Sequence, residues 1–152
     1  MPDRLPIAHF ISRGFAETES LGESWGRDAQ SGLVIAMSGD LGAGKTRLVK
    51  GFARGLGFRG RVHSPTFALV NVYSGGRLTI FHLDLYRLET REQILAAGLE
   101  EYLNPRGVAL IEWAERLENE NGKIETGGRL MRVKFEITSE TERRISYEDS
   151  GA

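Results

Sequence analysis

Residues Gly39–Thr46 read GDLGAGKT, and they follow the apolar run Leu33–Met37, LVIAM. The stretch fits the pattern G-x-x-x-x-G-K-[ST], in which a glycine-rich loop wraps backbone N–H groups around phosphates. The apolar run predicts a fully buried strand, and Leu48, Phe52 and Leu56 recur after the loop at helical spacing. Because the motif requires a strand before it and a helix after it, this context predicts a nucleotide site.

Each conspicuous residue of the loop has a physical reason to be there. Gly39, Gly42 and Gly44 permit backbone angles and close approaches that a Cβ atom would prevent. Successive N–H groups can then point into one concavity, helped by the positive end of the helix that follows. We expect Lys45 to neutralise the β- and γ-phosphates and the Thr46 hydroxyl to bind Mg²⁺.

Two acidic residues end apolar strands further along the chain. Asp84 follows LTIFHL, and Glu112 follows VALI. Ligands bind at the carboxyl ends of strands in such sheets, so both acids are candidates for the nucleotide site. Glu112 follows an uninterrupted apolar run and better matches a metal-holding acid on a central parallel strand. Asp84 follows a hairpin strand interrupted by His82, which suits a residue that orients water or braces the metal; the alternative is that each acid merely ends a strand.

Composition limits the classes of protein to which the chain can belong. Its 152 residues are 40% hydrophobic and 27% charged, which predicts a single globular P-loop domain over residues 1–152. The 20 basic residues nearly balance the 21 acidic ones, so net charge gives no reason to expect sequence-independent nucleic-acid binding. The absence of cysteine excludes disulfides and thiolate catalysis. Without a signal-peptide core or a membrane-spanning run, a cytoplasmic protein is the simplest interpretation.

The remaining patterns predict an α/β fold with a mixed sheet, parallel in the centre and antiparallel at the flanks, with helices on both faces. A helix is expected from about Ala16 to Gln30, with Phe15, Leu21, Trp25 and Ala29 on one face. The other predicted elements are a hairpin of Phe67–Tyr73 and Leu78–Leu83, a short helix opened by Thr90, and strands at Ile7–Ile11, Val108–Ile111, Met131–Ile137 and Arg144–Tyr147.

Three further features leave alternatives open. Thr66, in the segment Ser64-Pro65-Thr66, either senses a γ-phosphate and its Mg²⁺ or belongs to an ordinary turn. Trp113 either packs near the nucleotide or is a core aromatic. His63 and His82 have no metal-ligand spacing and are expected to be solvated or packed rather than catalytic.

Several stretches, taken together, resemble the bacterial TsaE (YjeE) proteins. They are GDLGAGKT, LVKGFARGLG, HSPTF, FHLDLYRL, GLEEYL and LIEW, and the resemblance runs from about Thr18 to Trp113. It implies an Mg²⁺-dependent ATPase needed to make N6-threonylcarbamoyladenosine at position 37 of tRNA, acting through association with the TsaD and TsaB proteins. Since the net charge gives little attraction to RNA, we expect tRNA to be engaged mainly indirectly, through those partners.

The motifs and the resemblance together give the candidate site residues. Candidate catalytic residues are Lys45, Asp84 and Glu112; candidate Mg²⁺ ligands are Thr46 and Glu112; candidate nucleotide-binding residues are Gly39, Gly42, Ala43, Gly44, Lys45, Thr46, Arg47, Thr66, Asp84 and Trp113. Two positions depart from the family, because Arg47 stands where a second threonine is common and Ala114 where a proline is usual.

Other classes of P-loop protein are alternative interpretations. A small-molecule kinase uses the same loop, but ENENGKIETGG after Trp113 offers no arginine-rich lid. A GTP-operated switch needs an Asn-Lys-x-Asp element to read guanine, and the sequence has none. A structural subunit with an inactive nucleotide site is disfavoured because Lys45, Thr46, Asp84 and Glu112 are all present.

Overall fold

The computed structural model describes residues 7–40, 42–65 and 69–150. Within these ranges the strands are β1 (Ala8–Ser12), β2 (Val34–Gly39), β3 (Val70–Tyr73), β4 (Ile80–Asp84), β5 (Val108–Glu112), β6 (Leu130–Ile137) and β7 (Arg143–Ser150). The helices are α1 (Phe15–Asp28), α2 (Lys45–Gly55) and α3 (Arg91–Ala96), with 3₁₀ turns at Leu99–Leu103 and Ala114–Leu117.

The seven strands form one sheet in the order β1-β7-β6-β2-β5-β4-β3. β2 lies parallel to both β5 and β6, and β4 lies parallel to β5. The pairs β3–β4, β6–β7 and β1–β7 are antiparallel. The predicted mixed sheet, with parallel centre and antiparallel flanks, is therefore confirmed.

Helices cover both faces of the centre of the sheet, as predicted. Ile35 and Met37 of β2 point into the core beneath α1 and α2, whereas Val34 and Ala36 join the core beneath α3 and the 3₁₀ turns. All four side chains are at most 3% exposed, which explains why the sequence here is uniformly apolar instead of alternating.

The predicted apolar face of α1 is confirmed apart from Phe15. Ala29 is buried and Leu21 and Trp25 pack against the core, whereas Phe15 is 45% exposed. The helix also buries Thr18, Gly22 and Gly26, which the prediction did not include. A Cβ atom on Gly22 would lie 2.3 Å from the carbonyl oxygen of Leu48, so the α1 backbone runs directly against α2. The prediction followed apolar side chains, and it missed a contact that small residues make by their lack of a side chain.

Local chemistry explains where two helices begin and end. α2 ends in a Schellman motif, with Gly57 at φ +84° and the Phe58 N–H donating to the carbonyl of Ala53 at 3.0 Å. At the start of α3, the Thr90 hydroxyl accepts from the Gln93 N–H at 3.1 Å. The Gln93 side chain accepts from the N–H of Glu89. Thr90 therefore caps the helix that it was predicted to open, and the return bond goes to the residue before it, not to Thr90 itself as in a standard capping box.

None of the helices among the described residues has both the length and the apolar character needed to cross a membrane.

Candidate functional site

The phosphate loop and the two acids meet at one end of the sheet. Gly39 ends β2, Asp84 ends β4 and Glu112 ends β5. Glu112 is the register partner of Met37 on one side and of Asp84 on the other. Because all three strands are parallel, the carboxyl ends that carry these residues lie side by side.

The glycines of the loop occupy conformations that favour glycine. Gly39, Gly42 and Gly44 have φ values of +130°, +79° and +106°. A Cβ atom on Gly39 would lie 2.2 Å from the carbonyl oxygen of Phe135, so β6 also requires glycine there. Gly44 is the N-cap of α2, and the first turn of a helix leaves N–H groups without intrahelical acceptors. Ala43 is buried, and its N–H donates to the carbonyl of Asp40 at 3.1 Å.

Lys45 is folded back onto its own loop. Its ammonium donates to the carbonyl oxygen of Gly39 at 2.7 Å and to that of Asp40 at 3.3 Å. The same nitrogen lies 4.3 Å from the centre of the Trp113 ring, a cation–π contact. The ring thus lines the cleft and also packs against the core beneath α3. Its nearness to a nucleotide stays a prediction.

Burial and nearby carboxylates act in opposite directions on Lys45. Burial lowers the pKa of its ammonium from the ordinary value of 10.5, and the negative charges of Glu112, Glu115 and Asp84 partly oppose that change. An incoming anion would reinforce these carboxylates in favouring the charged form. The lysine is consequently a buried cation whose charge a bound phosphate would stabilise further.

Thr46 and Glu112 form a pair of oxygen donors beside the loop. The Thr46 hydroxyl donates to Oε2 of Glu112 at 3.0 Å, and the carboxylate belongs to a residue only 4% exposed. The Ser64 hydroxyl lies 2.9 Å from that of Thr46. Hydroxyl and carboxylate oxygens are the hard donors that Mg²⁺ prefers, so the residues present fit the predicted ion.

Asp84 has different surroundings from Glu112, although the two are neighbours. Its Oδ1 accepts from the backbone N–H of Tyr86 at 3.0 Å. Burial raises the pKa of Asp84 above its ordinary 3.8, with a further contribution from the charge of Glu112, while the Tyr86 N–H acts in the opposite direction. The half-buried carboxyl lines the same cleft as Lys45 and Thr46.

Arg47 lines the same cleft as Lys45 and Thr46, and its side chain also contacts α1. The guanidinium of Arg47 donates to Oε2 of Glu19 at 3.3 Å and lies 4.7 Å from the ring centre of Phe15. The side chain thus bonds α1 at the edge of the cleft, and the part of Arg47 in the predicted phosphate cradle stays a prediction. Thr66 lies outside the described residues, so its role stays a prediction.

His82 is a site residue whose role sequence reasoning missed. It is fully buried, as one of its predicted alternatives requires, but its Nε2 also donates to Oε2 of Glu112 at 2.6 Å. Tyr73 in turn bonds the other ring nitrogen at 2.9 Å. The only available signal was a polar residue inside the otherwise apolar strand β4.

The described side chains supply too few ligands to hold a metal ion by protein groups alone. Across the described ranges, no three His, Asp or Glu side chains cluster as a metal site. Mg²⁺ in nucleotide enzymes is commonly held by one or two protein ligands together with substrate phosphates and water. A Thr46–Glu112 pair beside a phosphate loop matches that arrangement.

A family model described as "Threonylcarbamoyl adenosine biosynthesis protein TsaE" matches residues 12–145. The chain belongs to the TsaE family. The match includes the phosphate loop, both acids and the strands that carry them. It extends past Trp113, where the resemblance of the short motifs stops.

Individual relatives support the same assignment. Proteins named "tRNA threonylcarbamoyladenosine biosynthesis protein TsaE" from Bacillus subtilis and Treponema pallidum are 43% and 44% identical to the chain over 104 and 110 residues. The alignments cover 68% and 72% of this chain but 65% and 81% of those relatives. The crystal structure of YdiB from Bacillus subtilis superimposes with a TM-score of 0.76 at 28% identity, covering 99% of this chain and 90% of that one.

Proposed function

We propose that this chain is an Mg²⁺-dependent ATPase that serves the synthesis of N6-threonylcarbamoyladenosine in tRNA. The observation that carries the proposal is the meeting of Lys45, Thr46 and Glu112 beside a glycine-rich loop at the carboxyl end of a parallel sheet. The pathway comes from the family and from the names of its relatives.

In this proposal, the residues of the cleft have separate roles in phosphoryl transfer to water. N–H groups of the loop and of the first turn of α2 bind the phosphates, and Lys45 exchanges the carbonyls of Gly39 and Asp40 for β- and γ-phosphate oxygens. Thr46 and Glu112 would hold Mg²⁺, which would supply positive charge beside the phosphates. Asp84 would orient the attacking water; its oxygen would bond to the γ-phosphorus while the bond to the bridging oxygen of ADP breaks and a water proton is released to solvent.

We further propose that the ATPase acts through a complex with TsaD and TsaB, in the cytoplasm. With 20 basic and 21 acidic residues, the chain has no excess positive charge with which to bind tRNA by itself. Docking on protein, with tRNA held mainly by the partners, is the arrangement that this charge balance favours. Modification of tRNA reconstituted with and without this chain tests the pathway assignment.

The test of the nucleotide site is the variant Lys45→Ala. Removing a charged hydrogen-bond donor costs about 1.5–3 kcal/mol, so we expect the affinity for Mg²⁺-bound ATP to fall roughly 10- to 150-fold. Hydrolysis should be abolished. Calorimetry with a non-hydrolysable ATP analogue measures the first effect and phosphate release the second.

Lys50→Ala provides the matched control, because Lys50 lies on the same helix but lines a different cleft. It should bind the analogue like the original chain. An unchanged affinity in Lys45→Ala would contradict the nucleotide site at this loop.

A further inference from the structure

His82 and Tyr73 connect the candidate metal ligand Glu112 to the chain segment that follows α2. His82 lies on β4 and is wholly buried, and its Nε2 donates to Oε2 of Glu112 at 2.6 Å. The Tyr73 hydroxyl, on β3, lies 2.9 Å from Nδ1 of His82 and 2.9 Å from the carbonyl oxygen of His63. Because the carbonyl of His63 can only accept, it takes the single hydroxyl proton of Tyr73, and the Tyr73 oxygen accepts from Nδ1 of His82. Both ring nitrogens of the buried histidine are therefore donors, one to Tyr73 and one to Glu112.

The connection closes on itself at Thr46. Ser64 follows His63 directly, and its hydroxyl lies 2.9 Å from that of Thr46, which donates to Glu112. Since the Thr46 proton goes to the carboxylate, the Ser64 hydroxyl is the donor in that bond. We call this closed set of contacts the hydrogen-bonded ring; its members are Thr46, Glu112, His82, Tyr73, His63 and Ser64.

Burying a histidine at this place in β4 has an energetic cost that an apolar residue would not have. A buried polar group must have its hydrogen bonds made inside the protein, whereas leucine or valine would pack between β3 and β5 without that requirement. The two partners that satisfy His82 both lead to the site: one is Glu112 itself, and the other bonds the residue next to Ser64. Such outer contacts orient metal-binding carboxylates.

We propose that His82 and Tyr73 are positioning residues that couple the metal site to residues 61–65. His82 holds the Glu112 carboxylate in one orientation, and Tyr73 transmits the position of that carboxylate to the backbone of His63. A cation on Thr46 competes with the Ser64 hydroxyl for the same oxygen, so its binding alters the ring at a second point. The inference rests on the proposed function, because it assumes that Thr46 and Glu112 receive Mg²⁺.

Two amide replacements of His82 separate its two bonds. In His82→Gln the side-chain amide can reach the place of Nε2 and bond Glu112, whereas in His82→Asn it can reach only the place of Nδ1 and bond Tyr73. We expect His82→Asn to raise the Mg²⁺ concentration needed for binding of a non-hydrolysable ATP analogue by about 10-fold or more, as for other outer-sphere partners of metal ligands. His82→Gln should restore most of that loss.

Tyr73→Phe removes the second link and leaves the Glu112–His82 bond in place. We expect its Mg²⁺ requirement to stay within about threefold of the original chain. Hydrogen exchange of the backbone amides in residues 58–64 should slow when Mg²⁺ and the analogue bind to the original chain. In Tyr73→Phe that change should be lost, because the segment no longer follows the carboxylate.

His9→Asn is the matched control, since His9 is exposed on β1 and bonds only Ser146 among the described residues. It should behave like the original chain in both measurements. If His82→Asn does not fold, Tyr73→Phe and Ser64→Ala, which are smaller changes, decide the question through the exchange of residues 58–64.

Glu112→Gln distinguishes failure of this inference from failure of the proposed function. An unaltered Mg²⁺ requirement in Glu112→Gln would remove the metal site and the inference with it. A raised requirement in Glu112→Gln together with original behaviour in His82→Asn and Tyr73→Phe would overturn the inference alone.

Discussion

Glu112 and Asp84 are register partners on β5 and β4, yet their side chains have different neighbours. Glu112 accepts hydrogen bonds from Thr46 and His82, whereas Asp84 accepts one from the backbone of Tyr86. A carboxylate that is fixed by two side chains suits a metal ligand. A half-buried carboxyl with a raised pKa suits a residue that holds water.

This difference predicts distinct defects in the two amide variants. Glu112→Gln should lower the Mg²⁺-dependent affinity for ATP by about tenfold or more, because a metal ligand loses its charge. Asp84→Asn should bind ATP within about threefold of the original chain and hydrolyse it about 100-fold more slowly. Calorimetry and single-turnover phosphate release measure the two effects. The reverse pattern would mean that the two acids have each other's roles. If neither variant showed its effect, each acid would have no role beyond ending a strand.

The raised pKa of Asp84 also predicts a pH-dependent change in stability. An acid whose pKa is higher in the folded state stabilises the fold below its ordinary pKa of 3.8, and this contribution is lost as pH rises through the folded value. Asp84→Asn, which is neutral throughout, should therefore be more stable than the original chain at pH 7. The advantage should shrink toward pH 3.8. Urea unfolding of the metal-free protein at both pH values tests this, with the exposed Glu140→Gln as control; an advantage that does not depend on pH would contradict it.

Among the elements, α1 and α2 pack more closely than most helix pairs can. Cβ atoms on Gly51 and Gly55 of α2 would lie 1.8 and 2.2 Å from the carbonyl oxygens of Glu19 and Glu23 of α1. Above this contact, the guanidinium of Arg54 bridges the same two glutamates. At these glycines the backbone of α1 therefore packs directly against the backbone of α2, and the side chains of the two helices contact each other beside that strip.

Gly51→Ala should separate the two helices and destabilise the protein. Overpacking a tight contact typically costs about 1–3 kcal/mol and occasionally more, which exceeds the advantage of roughly 1 kcal/mol that alanine has within a helix. Gly14→Ala, at an extended residue with open space around it, should change the free energy of unfolding by less than about 1 kcal/mol. Urea unfolding at one pH compares the two. Equal stabilities would mean that α1 shifts without cost.

The elements themselves could be predicted from the sequence far better than the contacts between them. The apolar runs before Gly39 and Glu112 each predicted a buried strand because their periodicity is local. The bond from His82 to Glu112 depends on the register of β4 against β5, and no spacing along the chain specifies that register. The close contact that Gly22 and Gly26 of α1 make with α2 was not predicted, because hydrophobic periodicity detects only residues that have apolar side chains.

At the scale of the whole molecule, nucleotide state is expected to control association. Ser64 is a member of the hydrogen-bonded ring, and it lies two positions before Thr66, which is predicted to sense a γ-phosphate. We predict that affinity for a TsaD–TsaB complex differs between ATP-like and ADP-bound states by about 5- to 150-fold, the usual range of such coupling. Surface plasmon resonance with each nucleotide measures it. The difference should shrink in Thr66→Ala; equal affinities in the original chain would exclude a nucleotide switch and leave hydrolysis with another role.

The contacts of Lys45 have a consequence for how quickly the proposed site could be used again. Its ammonium has two carbonyl acceptors and an indole face inside the protein. If the proposed function holds, the lysine would regain these partners when ADP leaves, and its charge would not be left without polar contacts. The free-energy cost of releasing ADP would then be lower than in a loop whose lysine has no alternative partners in the protein. Such a loop favours repeated turnover over long retention of the spent nucleotide.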